Sequence, residues 1–316
     1  MLRSLLLRAS ESTFLESQFR TRGFSRRAIR RFMPGEDLES ALAAGKVLQD
    51  RGLGVVLTRL GEEVYDAGEA DAVVAHYLDV LKQVAARKLD AEISVKPTQL
   101  GLAIGDDDPR QRDGYAVAER NLDRLALAAA AHGSTLWVDM EGSEYVDATL
   151  DLVRTVRSRH ASIGVCLQSY LRRTPDDLAT LADPPVRVRL VKGAYREPRS
   201  IAYPRKADVD RAFVDLARRI MDHRAWFDAA PPHFGTHDLA IIDDVVRVAA
   251  ERGIPGEAVQ VTMLYGIRSE AQHRLSDEGL TVRTLISYGE AWYPWYVRRL
   301  AERPANLWFV LRTMFE

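Results

Sequence analysis

Eight short β-type runs alternate with longer helix-type stretches between residues 54 and 287. The runs lie at 54–60, 91–97, 135–141, 162–168, 186–193, 233–238, 259–264 and 280–287. Between them, stretches such as 70–89 and 208–223 carry apolar residues at a spacing of three to four. This alternation indicates parallel βαβ units, and eight of them in about 240 residues predict a (βα)8 barrel of the TIM type. An open doubly wound sheet is the main alternative, but it normally has a glycine-rich phosphate loop after its first strand, where this chain has RLGEEV.

The chain ahead of the first predicted strand is rich in arginine. Residues 1–32 contain eight arginines against Glu11 and Glu16, and residues 2–7 are mostly leucine. Such a segment is typical of basic amphipathic helices packed on a domain, of a helix at a membrane surface, or of a mitochondrial transit peptide. We therefore predict an N-terminal helical arm over residues 1–45, followed by one catalytic barrel domain over residues 46–316.

Composition excludes several classes of protein. The 316 residues are 47% hydrophobic and 28% charged with a net charge of −1, which is typical of a soluble globular protein and gives no reason to expect a nucleic-acid partner. The one cysteine, Cys166, excludes a disulfide framework and a cysteine metal cluster. Among seven scattered histidines only His233 and His237 are close, so no metal site is predicted. No apolar run reaches the roughly 18 residues that a membrane span needs.

Polar side chains recur where the predicted strands end. In this fold strand interiors are expected to be apolar, whereas the active site is built from the C-terminal ends of the strands. The residues at these ends are Lys96, Asp139, Glu141, Gln168, Arg189, Lys192, Thr236, His237 and Asp238. Any one of them alone is typical of a solvated loop, but their recurrence at five strand ends indicates one site. The cations among them suit a carboxylate or phosphate ligand.

The C-terminal segment adds two adjacent cations, Arg298 and Arg299, within the aromatic-rich stretch WYPWYVRRLAERPANLWF. Neighbouring residues on a helix point about 100° apart, so both arginines bind one ligand only if it lies over that turn. A solvated basic face, with Arg298 paired to Glu302 one turn later, is the alternative.

Taken together, these segments resemble the monofunctional bacterial proline dehydrogenase family. The resemblance is carried by RRFMPGEDLESAL, SVKPTQLG, VDME, VRLVKGAY, THD and YGEAWYPWYVRRLAERPAN, and it extends from about residue 31 to the C-terminus. It implies a distorted (βα)8 barrel that binds FAD non-covalently and oxidises L-proline to Δ1-pyrroline-5-carboxylate by hydride transfer to flavin N5. It further implies that the electrons pass to a membrane quinone, so we expect a cytoplasmic protein with peripheral contact to the inner membrane as an option.

The same resemblance implies roles for individual residues. Asp139 and Arg189 match catalytic residues, with Arg189 near flavin N5. The positions that match the clamp on the substrate carboxylate are Lys96, Arg298 and Arg299. The positions that match flavin contacts are Met140, Gln168, Lys192, Gly193, Ala194, Thr236 and His237.

Three residues depart from the family pattern in the expected substrate pocket. Thr262 stands where the family has glutamine, and Leu285 and Trp295 stand where it has tyrosines that shape the pocket around the proline ring. The alternative substrate is therefore another secondary amine, or a hydrazine-type amino acid.

Two other classes of function remain open. Lys192 lies at a barrel strand end, where Schiff-base lysines of aldolases and lyases occur. A non-catalytic protein recruited to membranes by the arginine-rich N-terminus is the other alternative.

Overall fold

The computed structural model describes residues 31–105, 108–110, 113–223, 231–293 and 295–297. Within them, eight parallel strands close into a barrel in chain order, because the last strand pairs with the first. The strands are β1 (Gly54–Arg59), β2 (Ala91–Val95), β3 (Leu136–Val138), β4 (Ile163–Gln168), β5 (Arg187–Val191), β6 (His233–Gly235), β7 (Gln260–Leu264) and β8 (Thr281–Tyr288). The eight predicted strands and the predicted (βα)8 barrel are confirmed, and the open-sheet alternative is excluded.

Helices in the described residues pack on the outside of the strands or beside them. They are α1 (Leu38–Gln49), α2 (Ala67–Ala86), α3 (Asp113–Ala131), α4 (Val146–Arg157), α5 (Thr174–Ala179), α6 (Lys206–Asp222), α7 (Leu239–Glu251) and α8 (Ser269–Asp277). The Asp37 carboxylate caps α1 by accepting from Ser40 N at 2.7 Å, and Asp66 caps α2 by accepting from Glu69 N at 3.0 Å. These caps satisfy amide groups that a helix start leaves without partners.

Most of the predicted N-terminal arm, residues 1–30, lies outside the described residues. Its described end contains Phe32 and Met33, which are buried in a small cluster with Trp292 and Tyr296. Helix α1 runs across the predicted boundary at residue 45 and packs against β1 and β8. The division into arm and barrel therefore stays a prediction.

The main core lies between the strands and the helices. Val55 and Leu57 of β1 face α1 and α2 and are fully buried, as are Val74 and Leu81 of α2. Because side chains alternate along a strand, Thr58, which follows Leu57, faces the barrel axis. Each fully buried aliphatic side chain of this layer contributes about 1.5–3 kcal/mol to folding.

The middle of the barrel interior is polar, contrary to the expectation that strand interiors are apolar. Arg189 lies in the middle of β5, not at its end as predicted, and its side chain is only 3% exposed. One layer deeper, the Glu92 carboxylate accepts from Trp137 Nε1 at 2.7 Å and lies 3.6 Å from Arg283 Nε and 3.9 Å from His233 Nδ1. Burial raises the pKa of Glu92, but His233 and Arg283 outweigh it and hold that pKa below its usual value. Paired in this way, buried charges are tolerated where isolated ones are not.

Room for the Trp137 ring comes from a glycine on the next strand. Gly164 pairs with Trp137 in the β3–β4 ladder, and a Cβ at Gly164 would lie 2.6 Å from Trp137 Cζ3.

We expect Gly164→Ala to lower the free energy of unfolding by about 1–3 kcal/mol, because the added methyl overpacks a rigid interior. Chemical denaturation measures this, and Trp137→Phe supplies the control. The smaller ring returns space, so the double variant should lose less stability than the sum of the two single variants. Strict additivity would show that the two residues do not compete for this space.

Candidate active site

A cavity of about 570 Å³ opens at the C-terminal ends of the strands. The predicted site residues that line it are Lys96, Asp139, Met140, Gln168, Arg189, Lys192, Gly193, Ala194, Thr236, His237, Leu285 and Trp295. Arg298 and Arg299 lie outside the described residues. A second cavity of about 520 Å³ beside α6 contains none of the predicted residues. The barrel thus brings together residues that are up to 199 positions apart in the sequence, from Lys96 to Trp295.

The centre of the site is an ion pair between Arg189 and Asp139. Arg189 Nη2 lies 2.5 Å from Asp139 Oδ1 and donates to Ser94 Oγ at 2.7 Å, while its Nε lies 2.9 Å from Cys166 Sγ. Ser94 Oγ also donates to Asp139 Oδ1 at 2.9 Å. Arg189 Nη1 is buried and has no hydrogen-bond partner within the described part of the chain. The guanidinium therefore keeps one NH2 group that no described residue uses.

Asp139 differs from its partner in its access to the cavity. Its side chain is 24% exposed, whereas that of Arg189 is 3% exposed. An incoming molecule can therefore reach the carboxylate directly while the guanidinium stays shielded from bulk water.

Gln168, at the end of β4, is oriented by two main-chain carbonyls. Its Nε2 donates to Met140 O at 2.7 Å and to Glu141 O at 3.3 Å. Its Oε1 is buried and has no partner among the described atoms. The side chain thus presents an acceptor in the wall of the cavity, because no described atom donates to either lone pair of that oxygen.

The loop after β5 forms another wall, and a glycine is required in it. Gly193 has a φ of +111°, and a Cβ there would lie 2.2 Å from Tyr170 Cδ1. The Tyr170 ring therefore packs directly on the backbone of Gly193. Residues 192–194 border the cavity beside this contact.

Lys192 belongs to a cluster of two lysines and two aspartates. Its Nζ lies 2.6 Å from Asp210 Oδ1 and 3.1 Å from Asp238 Oδ2, and Lys206 Nζ lies 2.9 Å from the same Asp238 oxygen. Burial opposes ionisation of Asp238, but the two lysines outweigh it and lower the pKa of Asp238 to about 2. A Schiff-base lysine needs a free neutral amine. Because two carboxylates bind the Lys192 amine, the arrangement disfavours the aldolase alternative.

Glu141 lies behind the residues that line the cavity. It is buried and does not border the cavity, although the sequence analysis places it among the strand-end residues. Its carboxylate accepts from Thr98 N at 3.0 Å and from Thr98 Oγ1 at 2.7 Å, and so holds the turn that follows Lys96. Burial raises the pKa of Glu141 to about 7 despite these hydrogen bonds.

The two close histidines have different surroundings. His233 lies in the polar interior, where Thr262 Oγ1 is 3.2 Å from its Nδ1, and burial lowers the pKa of His233 to about 4. His237 Nε2 accepts from Leu264 N at 2.9 Å, which fixes its tautomer. In the part of the chain that the structure describes, no three His, Cys, Asp or Glu side chains are grouped as metal ligands would be.

Some residues of the site escaped the sequence analysis. Ser94 and Cys166 contact the central ion pair, and Thr58 and Ser287 border the cavity. Ser94 and Cys166 lie two positions before Lys96 and Gln168, so the period of two along a strand would have placed them on the same inward face. Counting back from each strand end is the signal that was available in the sequence.

Comparison with known proteins gives a consistent set of relatives. The family model described as proline dehydrogenase matches residues 41–312. Proline dehydrogenase 2 of Bacillus subtilis strain 168 is 33% identical over 312 residues, which cover 99% of this chain and 98% of the relative. Proline dehydrogenase of Deinococcus radiodurans is 34% identical over 288 residues, covering 90% of this chain and 89% of the relative.

Among solved structures, the chain resembles proline utilization A from Bdellovibrio bacteriovorus inactivated by N-propargylglycine. The TM-score is 0.81 at 22% identity, over 88% of this chain and 33% of that one. The chain thus spans about a third of that solved protein. At this identity the likeness supports the fold.

Stability should depend on pH through Glu141. Its folded-state pKa of about 7 exceeds the ordinary value of 4.5, so the stability that it contributes is complete below about pH 4.5 and is lost as the pH rises through 7. We expect Glu141→Gln to remove this loss, because its amide can accept from Thr98 N and donate to Thr98 Oγ1. The free energy of unfolding of the variant minus that of the wild type should rise by up to about 3 kcal/mol across this window. Denaturation at a series of pH values measures the difference, and a difference independent of pH would contradict the assignment.

Proposed function

We propose, since the chain belongs to the proline dehydrogenase family, that it oxidises L-proline to Δ1-pyrroline-5-carboxylate with FAD as its cofactor. Membership of this family implies a flavin in general and proline as the substrate. The observation that carries the proposal is the buried Arg189–Asp139 pair, which lines the same cavity as Lys96 and Gln168.

The residues of the cavity fit a flavin. Gln168 Oε1 is a buried acceptor and Arg189 Nη1 a buried donor, and neither has a partner among the described residues. A buried polar atom without a partner costs about 1–3 kcal/mol, so both positions favour a ligand that carries a donor and an acceptor. A flavin ring has N–H donors and carbonyl and nitrogen acceptors. Gly193, Ala194, Met140, Thr236 and His237 would complete the cradle.

The choice of FAD over FMN rests on the family resemblance, because both flavins carry phosphate, and cations border one part of the cavity. Arg205, Lys206 and Lys192 border it, and such groups bind phosphate oxygens by charge-assisted hydrogen bonds. The proposed location of the pyrophosphate is therefore the β5–α6 loop and the start of α6.

The chain's own residues would bind and orient the substrate. Lys96 would hold the carboxylate of proline together with Arg298 and Arg299, whose part rests on the resemblance alone. Fixing the carboxylate orients the ring carbon, which is catalysis by proximity and orientation. Asp139, exposed in the cavity, would face the ammonium group that must lose its proton.

Arg189 would supply fixed positive charge at the reacting centre. When bound, the flavin supplies the acceptor for the hydride that leaves the ring carbon. A preorganised cation beside the flavin would offset the negative charge that reduction adds to it, at no cost of reorganisation. Arginine suits this place because it stays protonated at all relevant pH values.

A membrane quinone as electron acceptor is the remaining part of the proposal. No helix among the described residues is long and apolar enough to cross a membrane. The arginines of residues 1–32 would make the contact with a membrane surface, because clustered cations are attracted to anionic lipids. We therefore propose a cytoplasmic protein that reaches the inner membrane peripherally.

L-Proline, added anaerobically, is expected to bleach a yellow purified protein, and acid precipitation is expected to release FAD into the supernatant. Arg298→Ala and Arg299→Ala should each raise KM for L-proline at least about 30-fold, since a charged hydrogen bond to a buried carboxylate is worth about 2–5 kcal/mol. Flavin content should stay near normal in both variants. Arg218→Ala on α6, an exposed arginine paired with Asp215 at 3.0 Å, is the control and should leave KM unchanged.

Several outcomes of this experiment would contradict the proposal. A colourless protein that takes up no added flavin would exclude flavin chemistry, and FMN in the extract would exclude FAD. Colour that stays with the pellet would exclude non-covalent binding. Loss of flavin with unchanged KM would show that the two arginines serve structure.

A second substrate class is favoured by the wall that Thr262, Leu285 and Trp295 form in the cavity. Leu285 has no hydroxyl, and Thr262 Oγ1 is hydrogen-bonded to His233 Nδ1 at 3.2 Å. A pocket that lacks polar contacts discriminates weakly between apolar substrates, by about 1–3 kcal/mol per methylene. This wall therefore suits carboxylate-bearing secondary amines, or a hydrazine-type amino acid, of a shape other than proline.

Restoring tyrosine tests which substrate the cavity prefers. If this second class is the true one, proline is a poor substrate of the wild type in a panel of cyclic and N-alkyl amino acids. Leu285→Tyr combined with Trp295→Tyr should raise kcat/KM for proline relative to its competitors, because hydroxyls return to the pocket. If the wild type already oxidises proline best and the double variant is impaired, the protein is a proline dehydrogenase of ordinary specificity.

A further inference from the structure

Trp137 lies next to the central ion pair without bordering the cavity. Its ring is 1% exposed, and Arg189 Cζ lies over it at 5.1 Å from the ring centroid. This distance is within the range of a cation–π interaction, which strengthens when both groups are desolvated. Of the described residues that contact Arg189, Trp137 is distinctive because it holds the guanidinium by a ring face.

The indole is fixed from several sides. Its Nε1 donates to the Glu92 carboxylate at 2.7 Å, and the His233 ring lies 4.5 Å away between centroids. Arg283 Nε lies 3.6 Å from the other Glu92 oxygen. On the neighbouring strand, Gly164 leaves the space that the ring fills. A buried carboxylate, a partly buried arginine and a glycine thus fix the position of one ring.

We propose that Trp137 is a positioning residue for Arg189, which it holds in the plane that aims Nη1 at the cofactor. The proposal rests on the proposed role of Arg189 at the reacting centre. A ring face attracts the cation but accepts none of its N–H groups along a lone pair. The other contacts of Arg189 use Nη2 and Nε, toward Asp139, Ser94 and Cys166. Support by a ring therefore leaves Nη1 available, whereas a second carboxylate would take it up and neutralise the charge.

A purely structural role for Trp137 would show in stability alone. A positioning role predicts in addition a slower chemical step, and predicts that this effect disappears once the arginine fork is gone. The experiment therefore compares Trp137→Leu and Trp137→Phe, each with Arg189 intact and with Arg189→Lys. The rate of flavin reduction by saturating substrate is measured by anaerobic stopped flow in the FAD-loaded protein, and crystal structures of the two single Trp137 variants are determined.

We expect Trp137→Leu to slow flavin reduction about 3- to 30-fold, the range that a desolvated cation–π contact of this kind commands. The half-saturating substrate concentration should change less than about 3-fold, because Trp137 does not touch the substrate. Trp137→Phe keeps a ring and should lie between wild type and Trp137→Leu. In the Arg189→Lys background the Trp137→Leu change should have little further effect. The crystal structure of Trp137→Leu should show the guanidinium displaced from Asp139.

A matched control is Phe213→Leu. Phe213 is a fully buried aromatic residue on α6 that does not border the cavity. It should lower thermal stability to a similar degree and leave the rate of flavin reduction unchanged. If Trp137→Leu behaves like this control, or if its effect is additive with Arg189→Lys, the proposal is overturned. An unchanged ion pair in the Trp137→Leu crystal would overturn it as well, even if catalysis cannot be measured because the variant loses flavin.

The same set separates this proposal from the proposed function. If Arg189→Lys alone leaves flavin reduction unchanged, the role of Arg189 fails. If Arg189→Lys slows the reaction while Trp137→Leu does not, only the role of Trp137 fails.

Discussion

The ion pair between Arg189 and Asp139 is the interaction on which the rest of the structure depends. A guanidinium that is 3% exposed is stable only if its N–H groups find partners, since an uncompensated buried charge costs several kcal/mol. Those partners come from β2, β4 and the end of β3, and only a closed barrel brings these strands around the Arg189 side chain on β5. The pairing leaves Nη1 without a hydrogen-bond partner among the described residues. The fold and the site therefore depend on the same strands, because the strands that build the barrel also supply the partners of Arg189.

A second polar layer deeper in the barrel follows from the first. Arg189 adds positive charge to an interior that also contains Arg283, and the buried Glu92 carboxylate offsets it. An apolar interior of similar volume would cost less to fold, since replacing buried ion pairs by apolar residues is often neutral or stabilising. The polar layer is better explained by what it holds in position, above all the ring of Trp137 beneath the guanidinium.

The fold could be predicted from the sequence because a period of two that alternates with a period of three to four, eight times over, leaves few architectures open. The positions of the strand ends were predicted less accurately. The run at 91–97 stops at Val95, because Pro97 cannot donate to the ladder and begins a 3₁₀ turn instead. The cavity residues could be assigned from strand ends and resemblance, but not the interior position of Arg189. The contacts between side chains across the barrel depend on the register between strands, which for example places Cys166 opposite Arg189. One sequence contains no information on that register.

The most direct test is a crystal structure of the protein with its flavin and an unreactive cyclic carboxylate in place of proline. The account predicts a flavin ring against Gln168 and the backbone of Gly193, with Arg189 Nη1 donating to an acceptor of the ring. It also predicts the carboxylate of the analogue at Lys96. A flavin bound outside this cavity, or an Arg189 Nη1 that turns to a protein acceptor when the flavin is present, would contradict it.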